Sequence, residues 1–373
     1  MQKRPIEFSV SELAGSMGDF GTLLPLAIGY IVVCGLDPAG FLVMMGLANI
    51  VSGLVYRLPM PIEPMKALAV VAIAQQWSPS MVNASGFGMG VIWLLLAVTG
   101  VITWVARVTP RPVVMGIQVT LGVMLAREAI ELSSTSWLLA LAGVVIVLVL
   151  RRNKYAPAAI VLVAVGLVIM LMNGGFRELA PPEFRLPGLA DFTARQVWDT
   201  LLLAGFAQVP LTAANAVIAT SSLINSYWPD EHATPRKLAF SHGVMNLIAP
   251  VFGGMPMCHG AGGLVGQYFY GARTAGTNLI EGAIEVVLGL FFAGSIAGLF
   301  AAFPQAIVGA MMFMVGFQLI KNVQHLRAVV DFVVVGTTVA VALVTNMALG
   351  FVVGITVHWA LTRLADDLAS KRA

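Results

Sequence analysis

Leu58-Pro-Met-Pro-Ile-Glu-Pro-Met-Lys66 is the stretch on which the fold of this chain turns. Its three prolines lack N–H donors and push the residue before each of them into extended backbone. Helix can therefore start only around Pro64, a proline that suits a first helical position, and is expected to run through Met65 to Gln75. Working outward, the flanking sequence is apolar on both sides. Of the 373 residues, 58% are apolar and 10% charged, and the mean hydropathy is +0.89. Soluble domains lie near 45–50% apolar and about 25% charged, so a water-soluble enzyme is excluded as a first reading. Irregular backbone inside such a chain is tolerated only where it lines a cavity or packs on protein.

A bilayer crossing takes roughly 20 apolar residues, which allows about 12 to 14 spans here. Fourteen fit the turn and charge clusters. The first seven are expected at about 10–34, 39–56, 58–76, 87–106, 112–128, 136–150 and 156–173, and the polar segment 173–195 divides the chain. The second seven are expected at about 197–225, 238–252, 255–270, 277–300, 304–320, 329–345 and 347–365. With the N-terminus inside, 16 of the 21 Lys and Arg residues fall on the cytoplasmic side, among them Arg57, Arg111, Arg236, Lys237, Arg273 and Lys321. Only Arg127, Arg177, Arg185 and Arg195 fall outside, and Lys66 lies within the membrane. That segregation satisfies the positive-inside rule and puts both termini in the cytoplasm, with the cell inner (plasma) membrane as the expected host.

The broken stretch has a counterpart, Met255-Pro-Met-Cys-His-Gly-Ala-Gly-Gly263, with helix expected from about Gly260 to Tyr268. Gly46 and Asn49 precede Pro59-Met60 as Gly243 and Asn246 precede Pro256-Met257, at a common offset of 197 residues. Residues 1–175 and 196–373 thus read as two repeats of seven spans. Seven is odd, so the second is inverted, and inverted repeats place a substrate site at the midplane between them. Two half-helices would start there, with free N–H groups and positive dipole ends facing one another and the Lys66 ammonium in the first turn of one. That arrangement suits an anion.

Charged residues at membrane depth are costly and mark function by default. Asp19, Glu63, Lys66, Glu281 and Glu285 are in this class. Glu63 either pairs with Lys66 or carries a proton during the cycle, and Glu281 and Asp19 are the other proton-coupling candidates, against the alternative of interhelical hydrogen bonding. Gln208, Thr212 and Asn215 share one face of the eighth span and could hold an oxyanion or a neighbouring helix. His259 adds a charge to the pocket if protonated, or donates to backbone if neutral. Cys258 reads as a small lining residue, and Pro64, Met65, Gly260 and Ala261 complete the half-helix starts. Two cysteines, Cys34 and Cys258, supply no disulfide framework or metal spacing. No cofactor or metal is expected, and the small scattered charge of +3 argues against a nucleic-acid partner. The sequence leaves a homodimer open.

Four stretches carry a family resemblance: Glu12 to Thr22, Pro59 to Ala67, Gln208 to Thr212 and Met255 to Tyr268. They resemble the molybdate transporter family of plants, algae and bacteria, relatives of the sulfate permeases. The resemblance adds Thr22 to the candidate substrate-binding residues. It implies a seven-plus-seven inverted-repeat membrane fold like that of sulfate and uracil permeases. Spans 1–4 and 8–11 would form a substrate-carrying core, and spans 5–7 and 12–14 a gate. It also implies molybdate uptake without a soluble C-terminal domain. Glu63 departs from the Gln common at that place in the family and adds a negative charge near an anion site. The expected activity is secondary active import of molybdate, with protons, by movement of core against gate. Sulfate is the rival substrate, an anion channel the rival mechanism, and no nucleophile–base spacing supports an enzyme.

Overall fold

The chain is helical almost throughout because its apolar runs are long and punctuated by helix-starting and helix-ending residues rather than by strand signals. A computed structural model describes residues 5–18, 20–102, 104, 109–150, 158–174, 180–231 and 233–370. Helices α1 (Val10–Ser16) and α2 (Phe20–Val32) lead into α3 (Pro38–Tyr56). Asp37 caps α3, Pro38 opens it, and Arg57 closes it in the left-handed region at φ 60°. After β1 (Glu63–Pro64) and α4 (Lys66–Ala74) come α5 (Pro79–Thr99), α6 (Arg111–Ser133), α7 (Trp137–Leu150) and α8 (Ala158–Met172). The second half holds α9 (Ala194–Tyr227), α10 (Pro235–Ile248), β2 (Met257–Cys258), α11 (Ala261–Phe269), α12 (Gly276–Ala301), α13 (Gln305–Lys321), α14 (Val329–Val344) and α15 (Met347–Ser370).

Among the described residues, six helical stretches are long and apolar enough to cross a membrane by length and composition: Pro38–Tyr56, Pro79–Thr99, Arg111–Ser133, Ala194–Tyr227, Gly276–Phe300 and Met347–Leu364. The shorter apolar helices include Trp137–Leu150 and Gln305–Lys321. The expected first span, 10–34, is not one helix. It is divided between α1 and α2. Gly18 lies so close to α11 that a β-carbon there would fall 2.4 Å from the Gln267 backbone nitrogen. Asp19, expected near mid-span, lies outside the described residues.

Two helix crossings frame the centre. Helices α3 and α12 meet at Gly46 and Gly282, where a β-carbon on Gly46 would sit 2.6 Å from the Gly282 carbonyl oxygen. Helices α5 and α10 meet at Gly90 and Gly243, with a Gly243 β-carbon falling 2.8 Å from the Leu94 nitrogen. Removing the side chain lets the backbones touch, the usual solution where lipid supplies no hydrophobic drive. Helix α6 packs along α13, and α14 along α15.

Both proline-broken stretches are at the centre, and they pair. Strands β1 and β2 form a two-residue antiparallel sheet, with Glu63 opposite Cys258 and Pro64 opposite Met257. The Met65 amide donates to the Pro256 carbonyl at 2.9 Å and extends the pairing. This overturns the expectation that α4 starts at Pro64. That proline is in the strand, Met65 is the cap residue, and helix begins at Lys66. Similarly α11 begins at Ala261, one residue later than expected. The strands consume backbone groups that the prolines left without helical partners. Residues Ala67 to Ile73 of α4 are all buried, as befits a short helix that is apolar all round.

Candidate functional site

Asparagines fix the broken segments. Asn246 on α10 holds Met257 by both backbone groups: its amide donates to the Met257 carbonyl (2.7 Å) and its oxygen accepts from the Met257 N–H (2.8 Å). In the other half Asn278 on α12 does this for Met60, donating at 2.6 Å and accepting at 2.8 Å. Asn49, the offset partner of Asn246, acts one step back. Its oxygen accepts from Asn278 (2.7 Å), and its amide donates to Glu285 (2.9 Å). A side-chain amide offers N–H donors and an acceptor oxygen together, so one asparagine can satisfy both backbone groups of an extended residue.

The two half-helix starts are not alike. The Gln208 oxygen accepts from the N–H groups of Ala67 (2.7 Å) and Leu68 (3.3 Å), and its amide donates to the Thr212 hydroxyl at 2.6 Å. The expectation that this end presents free N–H groups to an anion is therefore corrected. A glutamine from the facing helix caps it, because buried donors without partners are expensive in a membrane. At α11, Gly260 is the cap residue and makes no side-chain capping bond. A β-carbon on Gly262 would have no atom within 4 Å, so open space lies beside this start.

Glu63 and Lys66 form an ion pair, Nζ to Oε2 at 2.7 Å, with the Glu63 side chain 1% exposed and that of Lys66 24%. The carboxylate leans on the α11 start. A β-carbon on Gly260 would fall 2.0 Å from Glu63 Oε2, so only glycine fits beneath it.

A cavity of about 410 Å³ opens beside this pair. It brings together Glu63, Lys66, Gln208, Thr212, Asn215 and Cys258 from the expected set. Thr212 is buried and accepts from Gln208, leaving its hydroxyl proton to point elsewhere. Helix α9 carries Gln208, Thr212 and Asn215 at spacings of four and three, and its winding widens into π turns at Leu201–Gly205 and Ala213–Ala219 on either side of Pro210. A proline inside a helix removes one bond of the ladder, and π turns of this kind recur at functional sites.

Five expected binding residues do not line the cavity. Pro64 and Met65 are buried in or beside the sheet, Gly260 lies against the Glu63 carboxylate, and Ala261 is buried at the start of α11. His259 turns away altogether. Its Nδ1 faces the Pro61 carbonyl at 3.2 Å and its Nε2 the Ser241 hydroxyl at 2.8 Å. Both ring nitrogens are engaged away from the cavity, so His259 braces the crossing and does not line the pocket. Glu281 and Glu285 are buried on α12, accepting from Gln267 (3.5 Å) and Asn49 (2.9 Å) respectively. The Thr22 side chain, like Asp19, is outside the described part.

The opposite wall was missed in the sequence. Gln118 and Leu121 on α6 form it with Val315, Leu319 and Lys321 on α13, and Leu211 on α9 and Gly262 on α11 complete the lining. Gln118 interrupts an apolar run and could have been singled out. Lys321 was read only as a charge at a helix end. Among the described lining residues the formal charges are Glu63, Lys66 and Lys321, a net of +1.

Comparison with known proteins gives this geometry a context. The profile of a family described as "Molybdate transporter of MFS superfamily" matches residues 11–125 and 200–319. Molybdate transporter 2 of Arabidopsis thaliana is 30% identical over 96% of this chain and 89% of its own length. Molybdate transporter 1 of Chlamydomonas reinhardtii is 28% identical over 92% and 90% respectively. In fold, the chain resembles the transmembrane domain of the cyanobacterial bicarbonate transporter BicA, with a TM-score of 0.66 over 94% of this chain and 97% of that one at 18% identity. It also resembles murine Solute Carrier 26 family member A9, an anion transporter solved in the inward-facing state. There the TM-score is 0.74 over 97% of this chain and 69% of that one, at 12% identity.

Proposed function

The chain belongs to the molybdate transporter family, and from that membership we propose that it imports molybdate by secondary active transport, with alternating movement of a core against a gate. The observation that carries this reading is the cavity in which the Glu63–Lys66 pair, the polar face of α9 and the start of α11 at Gly262 meet α6 and α13. A tetrahedral dianion there would take the Lys66 ammonium, the Thr212 hydroxyl, the Asn215 amide and backbone N–H groups of α11, an array of donors with a helix dipole behind it.

The proposed fourteen spans form two inverted repeats, 1–175 and 196–373. The two close crossings support this, since Gly46 and Gly243 are the pair at the 197-residue offset and each meets the other half. The proposed core takes α1 to α5 and α9 to α12, and the proposed gate α6 to α8 and α13 to α15. The cavity walls support that division, with Lys66, Asn215 and Cys258 on one side and Gln118 and Lys321 on the other. With both termini in the cytoplasm of a plasma-membrane protein, Lys321 stands at the inner mouth and the cavity opens inward.

Proton coupling through Glu63 follows from charge. The ionised pair contributes nothing net, whereas a proton on Glu63 leaves Lys66 unopposed for the incoming dianion. Purified protein in liposomes should take up molybdate, with tungstate in excess competing strongly and sulfate weakly. Equal competition by sulfate would transfer the assignment to sulfate, and flux without saturation would favour a channel.

A further inference from the structure

We propose that the groove between α3 and α10 is a binding site for one anionic phospholipid. The proposal rests on the chain spanning a membrane and is independent of the substrate. Near Gly40, α3 touches the turn that follows α10: a β-carbon on Gly40 would lie 2.6 Å from the Phe252 carbonyl oxygen, and one on Gly254 would lie 2.9 Å from the Met44 β-carbon. Sixteen residues further along α3, a bridge joins it to the start of α10. The Tyr56 hydroxyl donates to the Lys237 carbonyl at 3.2 Å, and the Lys237 ammonium sits 4.4 Å above the Tyr56 ring. Between these ends lies a crevice of about 420 Å³.

Its walls are apolar and open to the outside of the bundle. Leu47, Val51 and Val55 on α3 face Phe240, Val244 and Ile248 on α10, and all six side chains are exposed. In a bilayer such a crevice does not stay empty, because wall atoms without neighbours lose their dispersion contacts. The occupant is selected by the polarity of the groove. The apolar slot ends at the exposed Lys237, while the guanidinium of the neighbouring Arg236 is turned to the Ala97 and Val98 carbonyls. A lipid chain fits the slot, and a phosphate at the bilayer surface meets Lys237. On the topology proposed above, this end faces the cytoplasmic leaflet, where basic residues attract anionic lipids.

The test is lipid retention, read by native mass spectrometry after the full chain is exchanged into nanodiscs of equal phosphatidylglycerol and phosphatidylcholine. Wild type should keep one phosphatidylglycerol per chain, at about fivefold preference over phosphatidylcholine. Lys237→Gln should lose the preference and Lys237→Arg should keep it, while Val244→Trp, which fills the slot, should lose both lipids. Equal retention of the two lipids by wild type would overturn the proposal, as would an undiminished preference in Lys237→Gln. Cross-linking of two chains through Val51→Cys in the bilayer would also overturn it, by assigning the groove to a second copy.

Discussion

At the scale of single residues the cavity is governed by one lysine and what opposes it. Lys66→Ala should abolish molybdate binding in folded protein, and Lys66→Arg should restore it only in part. A planar fork and a compact ammonium do not fill the same place. Isothermal titration on detergent-solubilised protein reads this directly, and near-normal binding by Lys66→Ala would remove the anion from this pocket. Glu63→Gln tests the proposed coupling. If Glu63 accepts the proton that accompanies the anion, wild-type uptake into liposomes at clamped potential rises as external pH falls, and the variant shows a flat profile with binding preserved. An unchanged profile would move coupling to Glu281 or Asp19. Gly260 and Gly262 make a contrasting pair. Gly260→Ala drives a methyl into the Glu63 carboxylate and should disrupt the ion pair, whereas Gly262→Val places its side chain in open space. The second variant should fold normally and raise KM for molybdate.

At the scale of elements the broken stretches were legible and their partners were not. Prolines act on their own neighbours, so the sequence of 58–66 already dictated extended backbone and a delayed helix start. The cap on that helix comes from Gln208, 141 residues away, and no local signal joins the two. For this reason the sequence leaves Gln208 between an oxyanion and a neighbouring helix, and only the packed structure shows its oxygen engaged by the backbone of α4. His259 was ambiguous for a similar reason, since its role is set by Pro61 and Ser241 on other elements. Gln208→Leu should lower stability by roughly 1–3 kcal/mol, the cost of leaving buried donors without a partner. Thermal unfolding in detergent measures it. A Tm unchanged from wild type would mean that the start of α4 is satisfied in another way.

At the scale of the whole molecule the charge segregation and the 197-residue offset were readable because they are counts along the chain. The wall formed by α6 and α13 was not, because its lining residues show themselves only when the halves are packed. The proposed inward-open arrangement has a direct consequence for access. In a background with Cys34 and Cys258 replaced, Asn215→Cys should react with an impermeant thiol reagent from the cytoplasmic side only, and molybdate should slow the reaction. Thr345→Cys should react from the outside only. Labelling of both from the same side would defeat the span count.

The two-residue sheet at the centre has a mechanical corollary. Backbone bonds tie the start of α4 to the start of α11, one from each half of the chain, so neither can travel alone. On the proposed mechanism, an anion held between them would be a passenger on one vehicle, carried past a stationary platform and never handed from one half to the other. A short covalent tether between positions 62 and 259 should then leave turnover intact. The same tether between positions 212 and 315, from vehicle to platform, should stop it.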